Sequence, residues 1–303
     1  MSAQVQIETS KPLVVDQAEA LERFLGDPLE SFRRAVELDE RDEYPSEACA
    51  LLDQWRFYDY YVPIELGGRL ESFEEFASLI RVVARRDITV AVAHVKTYLG
   101  AVSVWLGGSD EQKRRLAETI RAGQQIALAL TERTHGAAVL SSETEAIPVE
   151  GGYLLSGEKW LINNATRSTA LTVFARTAKT GGPRGFSMFL VEKDQLAPSS
   201  YSHLPRVKTH GIRGADISGI CFDDAAIPAR ALIGEPGLGL ELVLKGFQIT
   251  RCIVPALSLG AADTALRTTL SFALQRKLYG ATIFTIPHTR QTLVDAFIDL
   301  LIC

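Results

Sequence analysis

Cysteine is sparse in this chain: Cys49, Cys221, Cys252 and Cys303 are the only four in 303 residues, far apart and without CxxC spacing. That excludes a zinc site or a disulfide framework and reads as free thiols in a reducing compartment. An excess of charge of one sign is also lacking. With 32 basic and 37 acidic residues the net charge is only -5, so nothing broad draws the chain to nucleic acid or an anionic membrane. The opening MSAQVQIETSKPLVVDQAEALERF has no apolar signal core, and no later stretch reads as long enough to span a bilayer. A soluble, cytoplasmic protein is therefore expected. GxSxG, HExxH, the P-loop and GxGxxG are all missing, which removes the familiar hydrolase, metalloprotease and dinucleotide signatures. The histidines His94, His135, His203, His210 and His288 are scattered without ligand spacing, so no metal site is expected.

What is present is a large apolar fraction, 47%, enough to bury the cores of two or three domains. The patterning changes twice along the chain. Up to Gly123 apolar residues recur at helical spacing, as in Phe73, Phe76, Leu79, Ile80 and Val83. VAVAHVKTYLGAVSVWLG is apolar nearly all round and reads as an interior helix or helix pair. Ser109 followed by Gln112 forms a capping-box pattern that opens the next helix. From Gln124 to Leu232 short strands alternate with Gly, Pro and Asp punctuation, and Gly151-Gly152 signals a hairpin. After Pro236-Gly237 helical spacing returns, interrupted only by Pro255. A last helix begins near Pro287 with a face of Leu293, Ala296, Phe297 and Leu300 that finds no later partner. The expected fold is α+β: a helical domain over 1–123, an antiparallel β-barrel over 124–232, and a partial helical bundle over 233–303.

Several segments carry a resemblance, in order. ALALTERTHGAAV is similar to a strand and loop usually written T-E-P-x-A-G-S-D, and GYLLSGEKWLINNATRS to a G-x-K-x-W-I-T-N-A segment. The run from Val207 to Arg251 and the later ALQRKLYGATI, similar to R-x-x-F-G, complete the set, with weaker echoes in YVPIELGG and GGSDEQKRRLAETIRAG. Together these resemble the acyl-CoA dehydrogenase family of flavoproteins from about Arg56 onward. The resemblance implies FAD in a groove between barrel and C-terminal helices. Leu128, Leu130, Thr131, Gly136, Ala137, Leu161 and Asn163 would then contact the cofactor. Arg276 and Tyr279 would serve the FAD of a neighbouring subunit in a homodimer or homotetramer. Ala137, Gln248 and Arg251 would meet an acyl thioester carried on CoA or on a carrier protein. The resemblance leaves the electron acceptor open, an electron-transfer flavoprotein being one candidate.

The sequence departs from the family pattern at informative places. Arg133 replaces the loop proline, and Ala137 and Ala138 replace its serine and aspartate, so a weaker cofactor hold or a different carrier is expected. Leu161 matches the family's tryptophan; Trp160 is one residue off, and strand alternation predicts that it turns into the core. The implied reaction is α,β-dehydrogenation, in which a carboxylate takes the α-proton. Family members place that glutamate either where this chain has Thr250 or near a C-terminus beyond Cys303. No catalytic residue is therefore assigned: Glu241 reads as an exposed helix-start charge, and Asp295 and Asp299 as solvated. A C-terminally truncated chain, inactive by itself, is the expectation. The alternatives are a non-catalytic relative that binds acyl thioesters or partners, and a flavin oxidase or monooxygenase.

Overall fold

The computed structural model describes residues 13–178 and 182–303; the first twelve residues of the expected helical domain lie outside it. The described chain opens with α1 (Leu13–Leu25), α2 (Pro28–Glu40), α3 (Ser46–Gln54), α4 (Phe73–Ala84), α5 (Ile88–Gly107) and α6 (Asp110–Arg121). The starts of α4, α5 and α6 are set by capping side chains that satisfy otherwise orphaned amides. Ser72 Oγ accepts from the Glu75 amide ahead of α4, and Asp87 Oδ1 accepts from Thr89 N at 2.7 Å ahead of α5. The capping box forms at α6, where Ser109 and Gln112 bond reciprocally.

The helix α5 is a single element through the middle of the helical core, as its all-round apolar sequence requires. It approaches β1 (Ile126–Ala129) so closely that a Cβ on Gly100 would stand 2.7 Å from the Ile126 carbonyl carbon. Contrary to the sequence expectation, α5 and the long C-terminal helix α7 (Gly239–Gln275) are each long and apolar enough to cross a membrane by length and composition. The most apolar window of α5 is 78% buried within the fold, whereas that of α7 is 33% buried.

After β1 come β2 (Glu145–Val149), β3 (Gly152–Asn163), β4 (Ala170–Arg176), β5 (Phe186–Glu192), β6 (Tyr201–Leu204), β7 (Ile217–Pro228) and β8 (Leu232–Ile233). The β2–β3 hairpin turns at Glu150-Gly151, with Gly151 at φ +81°, where a side chain would be strained. These strands form one sheet in the order β6-β7-β3-β2-β4-β5-β8, with β1 paired to β4. Two features correct the expectation of an antiparallel barrel. The β1–β4 and β2–β4 pairings are parallel, the second resting on the single pair Glu145–Arg176. The sheet is also not closed, since β6 and β8 are unpaired edges. Helix α6 covers the β8 edge: Gln112 Nε2 donates to the Leu232 carbonyl at 3.0 Å and to that of Arg230 at 2.8 Å.

Alternation along β4 divides the interior. Leu171, Val173 and Ala175 enter the core inside the sheet, while Phe174 joins the larger core shared with the helices. Helix α7 runs unbroken through Pro255, so the proline costs one backbone amide without ending the helix. Its Gly260 lets α4 pack tightly, because a Cβ there would lie 2.6 Å from that of Ala84. Across the same contact Arg85 Nε meets Asp263 Oδ2 at 2.7 Å, and Arg85 also pairs with Glu22 of α1. A two-stranded ribbon, β9 (Lys277–Leu278) and β10 (Ala281–Thr282), leads to α8 (Pro287–Ile302). On α8 only Leu293 is buried, and Phe297 and Leu301 are 50% and 67% exposed.

Candidate functional site

Strand β1 delivers Leu130 and Thr131 to the point where sheet and helices meet. The loop that follows is braced from below. Lys159 Nζ donates to the Leu130 carbonyl at 3.0 Å and to Glu132 Oε1 at 2.8 Å, and the Trp160 amide donates to the Thr131 carbonyl at 2.8 Å. The Glu132 carboxylate also accepts from the amides of Glu143 and Thr144 at 2.7 and 3.0 Å. Burial opposes ionisation of Glu132, but the Lys159 ammonium and those amides outweigh it and bring the carboxyl down to about 2.

The far end of β3 supplies the facing wall. The β3–β7 register slips between Trp160 and Ile162, and Leu161 sits in the bulge at φ +56°. The bulge breaks strict alternation and turns the Leu161 side chain outward, 46% exposed. It also corrects the expectation for Trp160. That ring is not in the buried core but half-exposed, with the Arg133 guanidinium 4.0 Å from its centroid. Beyond it Asn164, at φ +59°, ties the strand end to α5 through Nδ2, which donates to the Ala93 carbonyl at 2.6 Å.

Between these walls lies a cleft of about 140 Å³. Leu128, Leu130, Thr131, Leu161 and Asn163 all line it, with Ile162 beside them. The Thr131 hydroxyl and the Asn163 amide have no side-chain hydrogen bond among the described residues, so two polar groups stand open between apolar walls. Lys96, Leu99 and Phe247 close the remaining side and are shared with a second cavity of about 280 Å³ between α5 and α7. That cavity is mostly apolar, with Val95, Tyr98, Ile253 and Leu257 in its wall; Thr250 and Arg251 also line it. No carboxylate lines either cavity among the described residues.

The structure therefore brings five of the expected cofactor residues together and sets Thr250 and Arg251 in the adjoining cavity. Gly136 and Ala137 lie on an exposed loop and line neither space. Gln248 is exposed on α7 and points into neither cavity. Arg276 caps the far end of α7, about 39 Å along the helix axis from Thr250 at 1.5 Å per residue, and Tyr279 follows in the β9–β10 turn; both are exposed. Glu241, Asp295 and Asp299 are exposed, Glu241 bonding Lys245 at 2.7 Å. Sequence reasoning missed the shared wall of Lys96, Leu99 and Phe247. A signal existed, because Lys96 is the sole charged residue in the 20 residues of α5.

The family model "Acyl-CoA dehydrogenase, N-terminal domain" matches residues 17–124, and "Acyl-CoA dehydrogenase, middle domain" matches residues 127–225. The chain is 32% identical to the probable acyl-CoA dehydrogenase fadE25 of Mycobacterium leprae over 262 residues, which is 86% of this chain and 67% of that protein. Among solved structures, the butyryl-CoA dehydrogenase of Megasphaera elsdenii superposes with a TM-score of 0.86 at 22% identity, covering 99% of this chain and 77% of that one. The FAD complex of PigA superposes with a TM-score of 0.85 at 24% identity, covering 100% and 78%.

Proposed function

The chain belongs to the acyl-CoA dehydrogenase family of oxidoreductases, and from that premise we propose that it holds FAD and an acyl thioester side by side for α,β-dehydrogenation. The observation that carries the proposal is the adjacency of the two spaces. A polar-edged, leucine-walled cleft at Thr131 and Asn163 shares a wall with an apolar cavity between α5 and α7. The cleft's donor set suits the edge of a flat heteroaromatic ring, with Thr131 and Asn163 as hydrogen-bond partners and Leu128, Leu130 and Leu161 as contact surface. When bound, FAD supplies the hydride-accepting chemistry. The helices hold the acyl chain and exclude water, and Arg251 meets the polar end of the thioester. Arg276 at the end of α7 and Tyr279 just past it lie too far from this cleft to serve it, which supports assigning them to the cofactor of a second copy in a homo-oligomer. The reading is the same for a CoA or a carrier-protein thioester, since a pantetheine arm is common to both.

The proton acceptor is not among the residues lining the cavity, for Thr250 has no group that ionises there. The test supplies one. The protein is loaded with FAD, and an acyl thioester is added without oxygen. Thr250→Glu is expected to bleach the flavin absorbance, with the unaltered chain doing so at least about a hundredfold more slowly. Absence of FAD binding overturns the reading. Thioester binding with no bleaching in either protein supports the binding-only alternative.

A further inference from the structure

Lys96 stands where a lysine is least expected. It is the only charged residue of α5, it is half-buried, and its ammonium makes no hydrogen bond or ion pair among the described residues. His94, two residues earlier, is accounted for by Tyr61 and by Asp53, whose Oδ1 lies 3.1 Å from Nε2. Lys96 has no such account: burial pushes its ammonium below the usual lysine range, and no charged neighbour offsets this.

The position suggests where its partner comes from. Lys96 lines both the cleft and the acyl cavity, and it does so with Leu99 and Phe247 at the wall they share. A second cation, Arg251 from α7, also lines the acyl cavity without a partner among the described residues, but it is exposed to solvent, so Lys96 is the one of the two whose water the fold removes. A neutral acyl chain seated there would strip water from the Lys96 ammonium and return nothing. A carboxylate would replace that water with a charge-assisted hydrogen bond. On the cleft side the protein's own polar groups, Thr131 and Asn163, are neutral, so the competing partner for the lysine there is the reduced flavin, which the FAD arm of the test below distinguishes.

We propose that Lys96 selects a short acyl group that carries its own carboxylate, held at the wall between the two cavities. The inference rests on the acyl-thioester reading and names its substrate class: a monothioester of a short dicarboxylic acid, or an acyl group with an equivalent anionic end.

The test compares butanedioyl and butanoyl pantetheine thioesters by calorimetry on the purified protein, with and without FAD. The butanedioyl compound is expected to bind about tenfold or more tightly, the scale of one hydrogen bond to a charged group. Lys96→Met removes that preference and Lys96→Arg retains it, with melting curves confirming that both variants fold. Equal or tighter binding of the butanoyl thioester to the unaltered protein overturns the inference, and this comparison needs no variant. Persistence of the preference in Lys96→Met also overturns it. So does a Met variant in which only FAD affinity or the flavin spectrum changes, since the cation then serves the cofactor. Failure of both thioesters to bind removes the acyl-thioester reading and this inference with it.

Discussion

Lys159 and Glu132 form an ion pair at 2.8 Å with side chains 0% and 6% exposed, directly beneath the backbone that carries Thr131. The pair joins β3 to the loop after β1, and Lys159 also holds the Leu130 carbonyl. Removing one partner leaves the other charge buried alone, which typically costs about 3–5 kcal/mol. Glu132→Gln is expected to lower the melting temperature by roughly 6 °C or more. Thermal denaturation followed by circular dichroism checks this, and an unchanged melting temperature would show that the pair contributes little.

The same pair sets an acid limit. The Glu132 carboxyl is lowered from 4.5 to about 2 in the fold, so its stabilisation is present above pH 4.5 and is lost as pH falls towards 2. Urea unfolding midpoints should converge between the unaltered protein and Glu132→Gln across that window. A constant separation from pH 5 to pH 2 would contradict the assignment.

Thr131 tests the cofactor cleft. Its hydroxyl is open to the cleft and unbonded to other side chains among the described residues, so Thr131→Val should cost little in stability. In the FAD-loaded protein the variant should lower the two-electron potential by about 30–65 mV, the equivalent of one lost hydrogen bond to the charged reduced ring. Spectroelectrochemical titration gives the value, and no shift would place the flavin edge elsewhere.

Gly100 tests how the helical core positions the cleft. A methyl group there meets backbone atoms of Ile126 and Ala127 at 2.7–2.9 Å, and backbone cannot swing aside as a flexible side chain can. Gly100→Ala should destabilise the protein by about 1–3 kcal/mol despite alanine's better helix propensity. It should also weaken FAD binding, because β1 leads directly to Leu130 and Thr131. A stabilised variant in chemical denaturation would refute the close approach.

The sequence by itself determined the elements and their order. Helical spacing, the capping box at Ser109, the hairpin at Gly151 and the proline opening α8 are local signals, written within a few residues of what they control. The family motifs likewise picked out Thr131 and Asn163 from their immediate neighbours. Tertiary structure alone decided the rest. Whether the sheet closes depends on β6 and β8, whose fates are set by long-range contacts such as Gln112 bonding the Leu232 carbonyl. The direction of Trp160 depends on a bulge at Leu161 that strand alternation does not encode: the ring stays out of the core against Arg133 while Leu161 still lines the cleft. The importance of Lys96 emerges only when α5, β1 and α7 enclose it: a lysine in an apolar helix is merely unusual until the fold removes its water and leaves it between two cavities.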